Sequence, residues 1–147
     1  MLAFTGLFLL KTSQYITGNT VITAIKEKIV PTNITVTNAQ NAAATCFLNA
    51  LSAALSMISK TEDLQLVQIQ GFVQCSSDFK DIPLVINGAS ELALHIMEDK
   101  GVHARTAVGV ASLPKDAPVE IACIFDVINT TAPNYSGRYE WLESTKE

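Results

Sequence analysis

The sequence has little that would hold a metal, a disulfide framework or a nucleic acid. Its 147 residues include three cysteines and two histidines. Cys46, Cys75 and Cys123 are odd in number and far apart, no CxxC spacing occurs, and His95 and His103 are not placed as a ligand pair. The cysteines therefore read as buried thiols, and no metal is expected. Ten Lys and Arg stand against fourteen Asp and Glu, a formal net charge of −4. That balance supplies no basic footprint for a phosphate backbone, so no nucleic-acid partner is expected.

Long apolar runs are missing too. Met1 to Leu10 has the length of a signal core, yet no basic residue precedes it and no A-x-A-like site follows promptly. It is far short of the roughly 20 residues that span a bilayer. A buried first strand, Leu2 to Leu10, is the better reading, and a soluble cytoplasmic protein with no membrane partner is the expectation. The N-x-S/T matches at Asn33, Asn129 and Asn134 are of the kind that arise by chance in an Asn/Thr-rich chain. There is no phosphate-cradling glycine loop, no G-x-S-x-G elbow and no HExxH helix.

What is present is a globular composition, 48% hydrophobic and 16% charged, of a length that suits one domain. The clearest element is helical. From Ala39 to Ile58 the apolar positions fall at 39, 42, 43, 46, 47, 50, 51, 54, 55 and 58, a stripe with helical period. Thr37 or Asn38 is the expected cap. The alanines in that stripe allow close packing on a sheet.

Leu64 to Gln74 follows as a strand, with Val67, Ile69, Gly71 and Val73 on one face and Gln68, Gln70, Phe72 and Gln74 on the other. The Gln/Phe face reads as a wet surface or as an inter-subunit surface. A second helix opens at Asp78-Phe79 and Pro83, offers Leu84, Val85, Ala89, Leu92, Ala93 and Ile96 to a core, and ends at Lys100-Gly101. Thr106 to Leu113 and Val119 to Val127 read as a hairpin across the turn Pro114–Pro118. Residues from Asn129 to Glu147 form a polar tail, with Tyr135, Tyr139 and Trp141 in it.

Two charged residues flank that hairpin. Arg105 is suited to clamping a carboxylate with parallel hydrogen bonds, and Glu120 to orienting or deprotonating a water. The pair reads either as one cleft or as a structural salt bridge. His103, at the start of a strand, reads as a packing or turn residue rather than an acid or base.

Three stretches carry a resemblance. They are Gly88-Ala89-Ser90-Glu91-Leu92, the run His103-Ala104-Arg105-Thr106-Ala107-Val108-Gly109-Val110-Ala111-Ser112-Leu113-Pro114, and Pro118-Val119-Glu120-Ile121. Together they resemble the reactive intermediate deaminase family, the YjgF-like family also labelled endoribonuclease L-PSP, in its H-A-R-x-A-V-G-V-x-x-L-P branch. The likeness runs from about Leu2 to Val127 and tightens after Leu64.

The resemblance implies a chorismate-mutase-like fold of the α/β (α+β) class, a mixed sheet with two helices on one face, spanning residues 1–128 before a C-terminal extension, 129–147. It implies a homotrimer with clefts between subunits. In such a cleft Arg105 would hold the carboxylate of a small 2-imino or enamine acid, and Glu120 would position the water that yields a 2-keto acid and ammonia. Asn87 would lie near the cleft, and Ala107 would offer its main-chain amide. The imine is already reactive, so no cofactor is implied. Ala107 stands where many family deaminases carry cysteine, Thr5-Gly6-Leu7 replaces S-G-Q, and the chain opens where the family's second strand usually does. A trimer that binds keto acids without turnover is the alternative implied function. RNA cleavage rests on the older label alone and runs against the net charge of −4.

Overall fold

A computed structural model describes residues 2–6, 29–32 and 34–129, with backbone alone for 2–6 and 129. Expectations for Leu7–Leu10, for Val21–Lys28, for Asn33 and Asn134 and for the tail aromatics lie outside the described residues. In chain order the elements are β1 (Leu2–Gly6), α1 (Val36–Leu55), β2 (Glu62–Gln74), α2 (Ile82–Met97), β3 (Ala104–Val110) and β4 (Val119–Asn129). Both helices pack on one face of a mixed sheet, as expected from the α+β reading. No helix among the described residues is long and apolar enough to cross a membrane.

α1 starts three residues before the apolar stripe does. Its cap is Thr35, whose Oγ1 accepts from the Asn38 amide at 3.2 Å, so Thr37 and Asn38 lie inside the first turn. The correction has a simple origin: a cap is defined by where extended backbone becomes helical, and the stripe marks only which turns are buried. Ala39, Ala43, Cys46, Phe47, Ala50, Leu51 and Ala54 are buried, whereas Leu55 at the other end of the stripe is exposed.

α2 begins after Asp81 with Pro83 in its first turn, where a missing N–H costs nothing. It ends at Met97 rather than at Lys100-Gly101. Glu98 takes a positive φ of 52°, and Glu98–Gly101 tighten into a 3-10 turn. The helices meet closely at Gly88, where a Cβ would strike the Gln40 carbonyl. Gln40 Nε2 also donates to the Leu84 carbonyl at 2.9 Å.

The sheet order is β1-β4-β2-β3. β2 and β3 are parallel and joined through α2, as a crossover between parallel strands requires. β4 runs antiparallel to both β2 and β1. The expected hairpin of β3 and β4 is therefore overturned, because β2 lies between them. Their connection passes over the end of β2, where buried Gln74 accepts from the Leu113 amide through Oε1 at 2.8 Å. One glutamine of the expected wet face is thus spent inside the molecule.

A bulge between Leu66 and Gln68 shifts the register of β2. Leu64, Leu66, Ile69 and Val73 are buried, while Val67 is exposed. The alternation read for this strand holds from Ile69 to Val73, and before the bulge it runs in the opposite phase, with Leu64 and Leu66 buried and Val67 exposed. On β4, Val119, Ile121, Cys123 and Phe125 are buried, and together with β2 and both helices they form one core.

Candidate functional site

β3 is an edge of the sheet. Arg105, Ala107 and Gly109 share rows with Ile69, Gly71 and Val73, the helix side of β2. A Cβ on Gly109 would meet Cys75 Sγ at 2.7 Å and Ile82 Cδ1 at 2.9 Å, which marks that side independently. Ala104, Thr106, Val108 and Val110 belong to the opposite face.

α2 lies over this edge. Asn87 and Ser90, three residues apart on one side of the helix, both engage Arg105. Arg105 Nη1 donates to Asn87 Oδ1 at 2.7 Å and to Ser90 Oγ at a longer 3.4 Å. Ser90 Oγ lies 3.0 Å from His103 Nε2, and His103 Nδ1 lies 2.6 Å from the Gly101 carbonyl oxygen. A carbonyl only accepts, so Nδ1 carries a proton. In the neutral imidazole Nε2 is then an acceptor for the Ser90 hydroxyl, which leaves the serine lone pairs for the guanidinium.

Among the described residues Arg105 has no carboxylate partner; the ion pair found there joins Lys100 to Asp63. Arg105 is exposed, and its Nη2 and Nε make no protein hydrogen bond among the described residues. A cation oriented from one side by neutral acceptors, with two donor positions open, can receive an anion. An open groove between α1 and α2, lined in part by Gln40, Asn41, Glu91 and His95, contains no Lys or Arg. It offers an acid no comparable anchor.

Asn87 and Ala107 thus gather at Arg105, one as a hydrogen-bond partner and one two positions along the same face of β3. Glu120 does not. It shares a row with Phe72 on the face away from the helices, while Arg105 shares its row with Ile69 on the helix side. Three rows along the strands and two strand spacings across the sheet separate them, about 10 Å in each direction. A salt bridge between Arg105 and Glu120 within one chain is therefore overturned.

Two members of the site, Ser90 and His103, are not found by reading charged residues. A signal for each was present. Ser90 follows Asn87 at helical spacing, and His103 precedes Arg105 by two in extended chain, so each shares a side with a residue already singled out. No groups of His, Cys, Asp and Glu suited to a metal occur among the described residues. Burial raises the Cys75 thiol above its ordinary range and pushes Cys123 up to about 12. Neither is a thiolate nucleophile near neutral pH.

The sequence profile described as Endoribonuclease L-PSP matches residues 10–127. The chain belongs to that family. Among L-PSP relatives, Protein TCP17 of Trypanosoma cruzi is 40% identical over 101 residues, covering 66% of this chain and 62% of TCP17. The chain therefore spans less than two thirds of that protein's length. The solved structure of Atu1372 from Agrobacterium tumefaciens, a protein of unknown function, is 38% identical with a TM-score of 0.62, covering 69% of this chain and 66% of that one. A candidate endoribonuclease from Shewanella oneidensis is 22% identical with a TM-score of 0.59, covering 67% and 66%. At that identity its likeness concerns the L-PSP fold alone.

Proposed function

We propose that this L-PSP protein binds small 2-imino or enamine acids through Arg105 and hydrolyses them to 2-keto acids and ammonia. The observation that carries the reading is the Arg105 guanidinium, held by Asn87 and Ser90 on one side and open on the other. Arginine in that state receives a planar carboxylate through two parallel bonds and withdraws electrons from the adjoining C=N. Water adds to the imine carbon, its protons pass to nitrogen, and the C–N bond breaks to release ammonia and leave C=O. Glu120 acts as the group that orients that water and takes its proton. The Ala107 amide is a further donor to the substrate. No cofactor is required, because holding water against an already electrophilic imine lowers the entropic part of the barrier.

Glu120 faces the other side of the sheet, so a same-chain pairing is not part of the proposal. A second copy supplies Glu120 to the Arg105 of the first, in a homotrimer with shared clefts. The separation of the two residues within one chain supports that arrangement. The same separation favours one other reading, a trimer that binds a keto acid through Arg105 and does not turn it over. RNA cleavage is disfavoured by the net charge of −4.

The test couples an amino-acid oxidase to keto-acid detection. Acceleration over spontaneous imine hydrolysis is expected for the wild type, and its loss in both Arg105→Ala and Glu120→Ala. Mixing the two inactive variants under subunit exchange should restore part of the activity, since one cleft in the mixture can draw an intact residue from each. Keto-acid binding with no turnover in the wild type supports the non-catalytic reading. Undiminished binding in Arg105→Ala overturns both.

A further inference from the structure

Ser90 already helps to hold Arg105 in the reading above, whereas His103, which meets Ser90, has no part in it. We infer that His103, acting through Ser90, is a positioning residue that sets Arg105 for carboxylate binding; this rests on the carboxylate-binding reading above. The chain of contacts runs from the Gly101 carbonyl to His103 Nδ1 at 2.6 Å, from His103 Nε2 to Ser90 Oγ at 3.0 Å, and from Ser90 Oγ to Arg105 Nη1 at 3.4 Å. Each link fixes the direction of the next. The carbonyl dictates which ring nitrogen bears the proton, and the other nitrogen then draws the serine hydroxyl proton toward itself. With that proton committed, Ser90 presents only lone pairs to Arg105.

Ser90 is 8% exposed, so water does not readily replace this arrangement. Asn87 Oδ1 takes the same nitrogen at 2.7 Å. Together the two acceptors hold Nη1 and turn the remaining edge of the guanidinium outward. The role is one of orientation: an arginine free to swing pays rotamer entropy for every carboxylate it binds, and a held one pays less.

The experiment measures 2-oxobutyrate affinity by calorimetry, and KM and kcat in the oxidase-coupled assay, for the full chain and its Arg105→Ala, Ser90→Ala, His103→Leu and His103→Gln variants. His103→Leu is expected to raise Kd and KM about five-fold with kcat held, the loss of one neutral hydrogen bond felt equally in ground and transition states. His103→Gln keeps an acceptor for the Ser90 hydroxyl and should recover most of that loss, which also shows that an unfolded variant is not the cause. Ser90→Ala should match His103→Leu.

The inference is overturned by a His103→Leu affinity equal to wild type, by a Gln variant as weak as the Leu one, or by a fall in kcat at constant KM. If Arg105→Ala binds 2-oxobutyrate as wild type does, the anchor itself fails and this inference with it. If Arg105→Ala loses binding while His103→Leu keeps it, the anchor stands and only the positioning role is lost.

Discussion

At the residue scale the chemistry rests on how side chains are partnered rather than on how many charges there are. Arg105 offers a fork of donors of which one nitrogen is held. Lysine keeps the charge and loses the fork, so Arg105→Lys is expected to weaken 2-oxobutyrate binding by ~1.5–3 kcal/mol, the value of a hydrogen bond to a charged group. Titration calorimetry of the variant against wild type checks this; equal affinity would mean that charge alone suffices.

Asp63 shows the opposite use of charge. The Lys100 ammonium and then the Leu64 amide hold its carboxyl below the ordinary carboxylate range. A depressed folded value contributes stability that is present above the unfolded value, about 3.9, and is lost as pH falls through the folded one. The side chains of Lys100 and Asp63 are 44% and 37% exposed, so solvent screening limits the pair to about 0–1 kcal/mol. Urea unfolding of Asp63→Asn should show a loss within that range near neutrality. Wild type and variant should converge in strong acid, and raised salt should narrow the gap.

At the element scale, the site depends on α2 sitting low enough for Asn87 and Ser90 to reach β3. Gly88 lies between those two residues in sequence, and its missing side chain is where α1 comes against α2. The obstacle to a Cβ is the Gln40 backbone, which cannot rotate away as a side chain would. Gly88→Ala is therefore expected to cost about 1–3 kcal/mol through overpacking. It should also weaken keto-acid binding, because the helix carrying the Arg105 acceptors must lift. Chemical denaturation and ligand titration on one sample check both. Much of this level was legible in sequence: the helical stripe from Ala39 is buried as far as Ala54, and the strand read over Val119 to Val127 lies within β4. The Thr35 cap and the end of α2 were not. Both depend on local dihedrals, at Thr35 and at Glu98, to which a hydrophobic pattern is blind.

At the scale of the whole molecule, the helices among the described residues lie on one face of the sheet. The other face carries half-buried Phe72, Ile124 and Gln70 together with exposed Val108, next to the open edge of β3. An apolar, uncovered face at a free edge is the surface a sheet protein must cover or charge to remain dispersed. In the proposed trimer other copies cover it. Val108→Asp, which adds a charge there without touching the core, should shift the trimer toward monomer in light scattering. It should reduce deaminase activity in step, since the proposed cleft needs Glu120 from a neighbour. An unchanged oligomer with the variant would place the interface elsewhere.

Family and fold class followed from the chain of letters, and Arg105 was singled out there, because a long spaced motif and two clean periodicities are one-dimensional signals. Which strands are neighbours did not. The insertion of β2 between β3 and β4 parted Arg105 from Glu120, and a crossing of strands leaves no mark on either strand's own alternation. The Asn87, Ser90 and His103 setting of Arg105 was likewise decided only in three dimensions. Neutral hydrogen-bonding residues acquire a role from the angle at which a helix lies over a sheet edge, and packing determines that angle.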